Sequence, residues 1–514
     1  MVLLPIVAAA VRTAVALRLF TPDPVLPLDA LSNDDLRPTG QAQRTWRWYH
    51  FAALWLGMII AVPSYMLAGG LIEQGMSPIE AVATIFLGNL IVLGPILLVS
   101  HMGSRYGVPY AVAVRASFGV RGAALPALAR AAVACGWFGI QTWIGGKILL
   151  ALATLVLHRP MDGAQIPLLG VGSGQLLAFV LFWCLQLAFI NKGLGAIRRL
   201  ETWTAPIKLV ICAVMVGWAL HATHGLGGVL AFRSAFGPGA AKAGRFWSTF
   251  WPCLTAMIGC WATLALNIPD FSRFARSQKD QIIGQALGLP LPMGLLALIS
   301  VITTTGTVAV FGLAIWDPVA LAERFSGPVV AGGLMVILLD TISCNMAANL
   351  VGPAYDFSSL WPSRISYRTG GYIAAGVGLA IMPWKLLEST HGYIYTWLTG
   401  YGALLGPICG VMIADYWLVR RTRLSVEDLY RADGAYAYAG GWNPAALLAF
   451  ALGVAPNVPG FLHAVAPTAF AGTAPAWISI YAFAWLIGLL VAMASYVGLT
   501  RFGAALAARS AVAA

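Results

Sequence analysis

Charge is scarce in this chain. Asp, Glu, Lys and Arg make up only 10% of its 514 residues, against about 25% in a soluble domain. Carboxylates are the scarcest, 19 set against 31 Lys and Arg. So little charge cannot cover a water-soluble globule of this size, which excludes a cytosolic multidomain protein. Cysteine is sparse too. Cys135, Cys184, Cys212, Cys253, Cys260, Cys344 and Cys409 are scattered, with no CxxC or other metal-ligand spacing. That excludes a disulfide scaffold and a structural zinc site, and leaves buried thiols. Neither a His-Glu-x-x-His helix nor a Gly-x-Ser-x-Gly elbow occurs, so the signatures of a zinc protease and a serine hydrolase are missing.

What the chain does have is apolar residues. The AVILMFWYC set makes up 59%, and the mean hydropathy is +0.80. This is the composition of an all-α polytopic membrane protein, because helices are what long continuous apolar runs form in lipid. Runs of about 20 residues cross roughly 30 Å of hydrocarbon. Twelve such spans are read at 51–72, 79–100, 124–155, 175–191, 203–221, 247–268, 287–314, 328–351, 371–384, 394–419, 443–464 and 476–499. The ninth is short and stops at Pro383.

With the N-terminus inside, 23 Lys and Arg fall on the inner side, counting Arg130 near the inner end of the third span, and six on the outer, while Lys147 and Lys208 lie deeper within spans. That asymmetry places both termini in the cytoplasm, and it explains the net charge of +12 without nucleic acid. The first 20 residues are apolar but carry Arg12 and Arg18. They read as an interfacial extension, or as a start codon placed upstream of the native one, so residues 1–28 need not belong to the native protein. Arg outnumbers Lys 25 to 6, which points to a GC-rich bacterial genome and the inner membrane.

Two spans are interrupted. The first holds Gly57-Met58-Ile59-Ile60-Ala61-Val62-Pro63, where Pro63 leaves carbonyls near Ile59 without a helical donor. The sixth has a weak centre at Ile258-Gly259-Cys260-Trp261. One broken helix near the start of each five-helix half is the pattern of an inverted repeat with its site at the midplane; two ordinary kinked helices are the alternative. Membrane-depth polar residues cluster on few spans. Trp137 and Gln141 share a face of the third, as do Asn345 and Asn349 on the eighth, where Asp340, Ser343 and Cys344 precede them. An aromatic plane, primary amides and a carboxylate suit a flat, uncharged solute and a small cation. Packing explains the Trp and interhelical bonding the Asn equally simply. Asp340 costs at least about 2.5–3.5 kcal/mol at that depth, so it is functional, or protonated and hydrogen-bonded.

The chain resembles the nucleobase–cation symporter family 1, which includes bacterial uracil, allantoin, cytosine and hydantoin carriers. The resemblance rests on Asn33-Asp34-Asp35-Leu36-Arg37-Pro38-Thr39, Arg115-Ala116-Ser117-Phe118-Gly119 and Gly136-Trp137-Phe138-Gly139-Ile140-Gln141. Trp261 to Arg273, Asn345-Met346-Ala347-Ala348-Asn349 and Ala414-Asp415-Tyr416-Trp417 extend it. It implies a leucine-transporter-like 5+5 inverted repeat, at 51–221 and 247–419, plus two C-terminal helices within 443–499. A cytoplasmic segment (1–50) and tail (500–514) flank them.

It also implies an importer working by alternating access. Trp137 and Trp261 would sandwich a planar ring, Gln141 would bond its amide edge, Asn349 would sit opposite, and Asn345 would support. A sodium ion would lie among the carbonyls of Gly57, Ile60 and Asp340 and the side chains of Ser343 and Cys344.

Two departures stand out. Ala61 replaces an amide that some relatives carry, removing one substrate contact. Cys344 replaces a hydroxyl where sodium prefers hard oxygen. A proton on Asp340 is the alternative coupling ion, and no other cofactor is expected. The partners expected are the heterocycle, the cation and the bilayer, with the chain a monomer. A channel or receptor, or an intramembrane enzyme, are the rival classes. Asn267, Asp270 and Arg273 read as a structural cap on the inner end of the sixth span, Lys147 as structural, and Arg420-Arg421-Thr422-Arg423 as a positive-inside anchor.

Overall fold

Ser77 and Glu80 show how a span begins. The Ser77 hydroxyl accepts from the Glu80 amide at 3.4 Å, while the Glu80 carboxylate accepts from the Ser77 amide at 2.7 Å. This reciprocal cap starts the second apolar run as a helix at Pro78. The helix ends at Gly107, whose φ of 74° suits a residue without a Cβ.

The computed structural model describes residues 31–192, 194–389 and 392–513; the interfacial extension expected within residues 1–28 lies outside them. In chain order the principal helices are α1 (Trp48–Ile59), α2 (Val62–Glu73), α3 (Pro78–Tyr106), α4 (Ala124–Leu157), α5 (Ser173–Lys192) and α6 (Leu194–Ala222). Then come α7 (Phe246–Cys260), α8 (Ala262–Asn267), α9 (Gln278–Gly288), α10 (Pro290–Phe311), α11 (Pro328–Asn349) and α12 (Val351–Leu360). The last are α13 (Tyr367–Ala380), α14 (Thr399–Ile413), α15 (Pro444–Val454), α16 (Val458–Val465) and α17 (Ala484–Ala513). Among the described residues the one sheet is a hairpin, Gln165–Ile166 against Val171–Gly172.

The apolar runs fall on these helices, with differences at the edges. Seven helical stretches are individually long and apolar enough to cross a membrane, and the bent pair α1–α2 makes an eighth. Length alone therefore counts fewer than twelve crossings, because α7–α8 is interrupted and α13 has only 14 residues. The α13 helix starts before the apolar run of the ninth span and stops short of Pro383. At the C-terminus α17 runs on through the expected tail to Ala513, since the Ala-rich sequence there sustains a helix.

Helix α4 is the central pillar. Its middle, from Ala131 to Gly146, is buried on all sides, and α5, α11, α12 and α13 pack around it. Gly139 allows a close backbone approach: a Cβ there would lie 2.5 Å from the Gly378 carbonyl of α13. A buried ion pair, Arg130 Nη1 to Asp356 Oδ2 at 2.9 Å, ties α4 to α12. Removing one partner of such a pair strands the other charge and costs about 3–5 kcal/mol. Arg130→Met is therefore expected to lower the melting temperature of the purified protein sharply, and Arg130→Met with Asp356→Leu to recover much of it. A single mutant as stable as the parent would show that the pair contributes nothing.

Candidate functional site

The first interruption lies where Pro63 places it. Ile60 (ψ 77°) and Ala61 (φ −145°, ψ 154°) leave helical geometry, and α1 and α2 meet at 62°. The freed carbonyls flank Ile59. Ile59 O accepts from the Ala61 amide at 2.8 Å. Met58 O instead faces the Cys344 thiol at 3.7 Å, and Ile60 O faces Lys208 Nζ at 3.4 Å. The second interruption falls on Trp261 (φ −103°, ψ 7°), between α7 and α8.

The two tryptophans belong to different aromatic groups. Trp137 donates from Nε1 to Tyr401 Oη at 3.2 Å, and its ring meets Tyr393, Trp397 and Tyr401 edge to face. Trp261 lies edge to face with Trp55, centroids 5.2 Å apart, and its Nε1 is buried without a partner. Among the described residues no ring contact joins Trp137 to Trp261. The aromatic wall beside Trp137, built from Tyr393, Trp397 and Tyr401, went unread in the sequence. Its signal is the aromatic spacing of four in Tyr393-x-x-x-Trp397-x-x-x-Tyr401.

The amides do come together. Asn349 Nδ2 donates to Asn345 Oδ1 at 2.9 Å, and Asn345 Nδ2 donates to Gln186 Oε1 at 2.7 Å and to the Phe138 carbonyl at 3.1 Å. Gln141 Nε2 approaches Cys344 Sγ at 3.8 Å, and Gln141 Oε1 is buried with no partner. Gln186 was missed; a lone amide inside the fourth apolar span was the available signal.

A lysine stands among the expected sodium ligands. The ammonium of Lys208, on α6, pairs with the Asp340 carboxylate, and both are buried. The same ammonium faces Ile60 O, and Cys344 offers sulfur. Ser343 Oγ is buried and unpartnered. Gly57, expected to contribute its carbonyl, is an interior residue of α1. Ala61 leaves its expected contact empty of any amide.

Both ends are tied. At the end that carries the segment before α1, Arg115 Nη1 donates to the carbonyls of Leu31 (2.9 Å) and Leu429 (3.0 Å). Asn33 donates to Ser358 Oγ at 2.8 Å, and Arg273 to the Asp35 carbonyl at 3.3 Å. Asp270 accepts from the Tyr110 amide at 2.8 Å and from Asn267 at 3.2 Å. The motif residues before the first span and after the sixth thus strap that end. Arg420 pairs with Asp415 at 2.8 Å, which makes it more than an anchor. At the other end, Lys147 pairs with Asp317. In the nearby loop burial raises the Glu323 carboxyl pKa, and the Lys147 charge opposes that shift.

Two broken helices, aromatic and amide clusters beside them, and a mostly helical membrane fold are the marks of a transporter of the leucine-transporter type. The chain belongs to the nucleobase–cation symporter family 1: the family model described as permease for cytosine/purines, uracil, thiamine, allantoin matches residues 38–488. It is 41% identical to the purine-uracil permease of Arabidopsis thaliana, over 85% of this chain and 72% of that one. It is 40% identical to the allantoin permease of Bacillus subtilis (strain 168), over 92% and 93%. Among solved structures, the inward-facing conformation of Mhp1 is 27% identical over 93% of this chain and 95% of that one, with a TM-score of 0.73. The closed conformation of Mhp1 with bromovinylhydantoin bound is 25% identical over 92% and 96%, also with a TM-score of 0.73.

Proposed function

We propose that this chain is a secondary active symporter that imports a planar amide heterocycle of the uracil, allantoin, cytosine or hydantoin class. One observation carries the reading. Gln141 Oε1 is a buried polar atom with no protein partner, and such a group costs about 1–3 kcal/mol. The N–H of a flat amide solute completes it. Trp137 and Trp261 supply the stacking faces, Gln141 and Asn349 read the amide edge, Asn345 supports Asn349, and Ala61 leaves room.

Stacking contributes about 1–3 kcal/mol per face, and each net hydrogen bond about 0.5–1.5 kcal/mol. Offset by immobilisation, these sum to micromolar affinity, which suits scavenging. One helix bundle rocks against the other around this site, in a monomer of the bacterial inner membrane with both termini cytoplasmic. The named relatives are permeases, which favours a carrier over an enzyme or a channel.

The coupling ion we propose is the proton. Lys208 takes Ile60 O, one carbonyl of the set Gly57, Ile60, Asp340, Ser343 and Cys344 that sodium would need, and its charge balances the Asp340 carboxylate. Uptake of labelled heterocycle into proteoliposomes with an imposed proton gradient is therefore expected to be unchanged when choline replaces sodium. A several-fold loss without sodium would overturn this assignment and leave the carrier reading standing.

A further inference from the structure

We propose that Arg105, Arg421 and Arg423 form a binding site for the headgroup of an anionic phospholipid. The proposal goes beyond transport, since it concerns the rim of the molecule and not the space between the broken helices.

The run Arg420-Arg421-Thr422-Arg423 divides in the structure. Arg420 is spent within the protein, on the Asp415 carboxylate at 2.8 Å and the Ala116 carbonyl at 3.0 Å. Arg421 and Arg423 are exposed. Arg105, the last residue but one of α3, is exposed too, and its Nη1 donates to Thr422 Oγ1 at 3.2 Å, which sets it beside the two. A fourth guanidinium closes the end of α3: Arg44 Nη1 donates to the carbonyls of Ser104 and Arg105, each at 3.3 Å. Among the described residues no carboxylate pairs with any of these four. Like charges gathered without a counter-ion repel, and an anion placed among them relieves that repulsion.

The loop that carries the pair is held rigidly. Arg421 and Thr422 are both left-handed, with φ of 50° and 62°, although neither is glycine. Backbone of this kind persists where its surroundings over-determine it, and three bonds do so here. The Thr422 amide donates to the Tyr416 carbonyl at 2.7 Å. The Tyr106 hydroxyl donates to the Thr422 carbonyl at 2.6 Å and accepts from the Leu424 amide at 3.0 Å. The arginines are therefore fixed beside the end of α3.

Their depth names the ligand. The apolar stretch Gly392–Val419 ends immediately before Arg420, and its last two residues, Leu418 and Val419, are 53% and 41% exposed. Exposed apolar side chains at the end of a span face acyl chains. The α3 span ends alongside, with Trp417 Nε1 donating to the Leu98 carbonyl at 3.2 Å. The arginines thus stand where hydrocarbon gives way to headgroups, the level at which basic groups between helices hold anionic lipids. A guanidinium fork also matches phosphate oxygens two at a time. A free anion would meet the arginines but leave Leu418 and Val419 uncovered; a phospholipid meets both.

The test is native mass spectrometry of the purified full-length protein in detergent, titrated with phosphatidylglycerol or phosphatidylcholine of matched acyl chains. Both lipids carry a phosphate, but only the first has a net negative charge. The parent is expected to bind one phosphatidylglycerol about tenfold or more tightly than phosphatidylcholine, since each arginine near an anionic surface contributes about fivefold. Arg421→Gln with Arg423→Gln should bring that ratio to within a few-fold of one. Arg364→Gln with Arg368→Gln removes as much charge from exposed positions elsewhere and should leave the ratio alone. Equal binding of the two lipids by the parent, or an equal loss in both double variants, would overturn the proposal. Inorganic phosphate at the lipid's concentration should not displace phosphatidylglycerol; displacement would mark a free-anion site and overturn the lipid assignment. If the first double variant does not fold, Arg423→Gln alone is expected to lower the ratio about fivefold, and an unchanged ratio there would overturn the proposal equally.

Discussion

Replacing Trp137 with alanine is expected to weaken heterocycle binding by roughly ten- to a hundredfold, as the loss of one stacking face worth about 1–3 kcal/mol. Trp261→Ala is expected to do the same, and the double mutant to abolish saturable binding. The two residues sit in different settings, which makes the pair informative. Trp137 is braced by its bond to Tyr401 and by the edges of Tyr393 and Trp397. Trp137→Phe keeps the face but drops that bond, so it should retain most of the affinity. Trp261 sits at the break between α7 and α8; its N–H lies in the ring plane and cannot reach a solute stacked on its face, so Trp261→Phe should likewise retain most of the affinity. Near-normal uptake in both alanine variants would refute the sandwich.

The second large effect is at Asp340. Asp340→Asn is expected to abolish uphill accumulation while leaving exchange of solute down its own gradient. The geometry adds a complication that the sequence did not show: the substitution strands the buried Lys208 ammonium, and an unpaired buried charge costs about 3–5 kcal/mol. Lys208→Met together with Asp340→Asn removes both charges and should recover stability. Accumulation should stay absent in the double mutant, because the coupling pair is gone. Full accumulation by either variant would remove the pair from the mechanism. Recovery of stability without recovery of accumulation is the outcome that separates coupling from folding.

Much of this was legible in the sequence because the physics is local. Apolar runs dictate helices in lipid, and Pro63 dictates a break close to the residues where α1 and α2 part. Spacing of four puts Asn345 and Asn349 in contact, as observed at 2.9 Å. What was not legible depends on which helices become neighbours. Lys208 and Asp340 each looked like an isolated charge in its own span, and no local rule pairs α6 with α11. The same holds for Arg130 with Asp356, and for Gln186, whose partners lie on α4 and α11. Nor was it legible which carbonyls near Ile59 would stay open. Pro63 predicts that the ladder opens, but not that the Ala61 amide turns back to fill Ile59 O.

The central claim is that a planar heterocycle binds between the broken helices while Lys208 stands where sodium would. The most direct measurement is tryptophan-fluorescence titration of the purified protein with uracil, cytosine, allantoin and benzyl-hydantoin, each with sodium or choline and at two pH values. The account predicts saturable quenching by at least one of them, with the same affinity in sodium and choline. Affinity that tightens several-fold with sodium would contradict the role given to Lys208. No quenching by any of them would contradict the site itself.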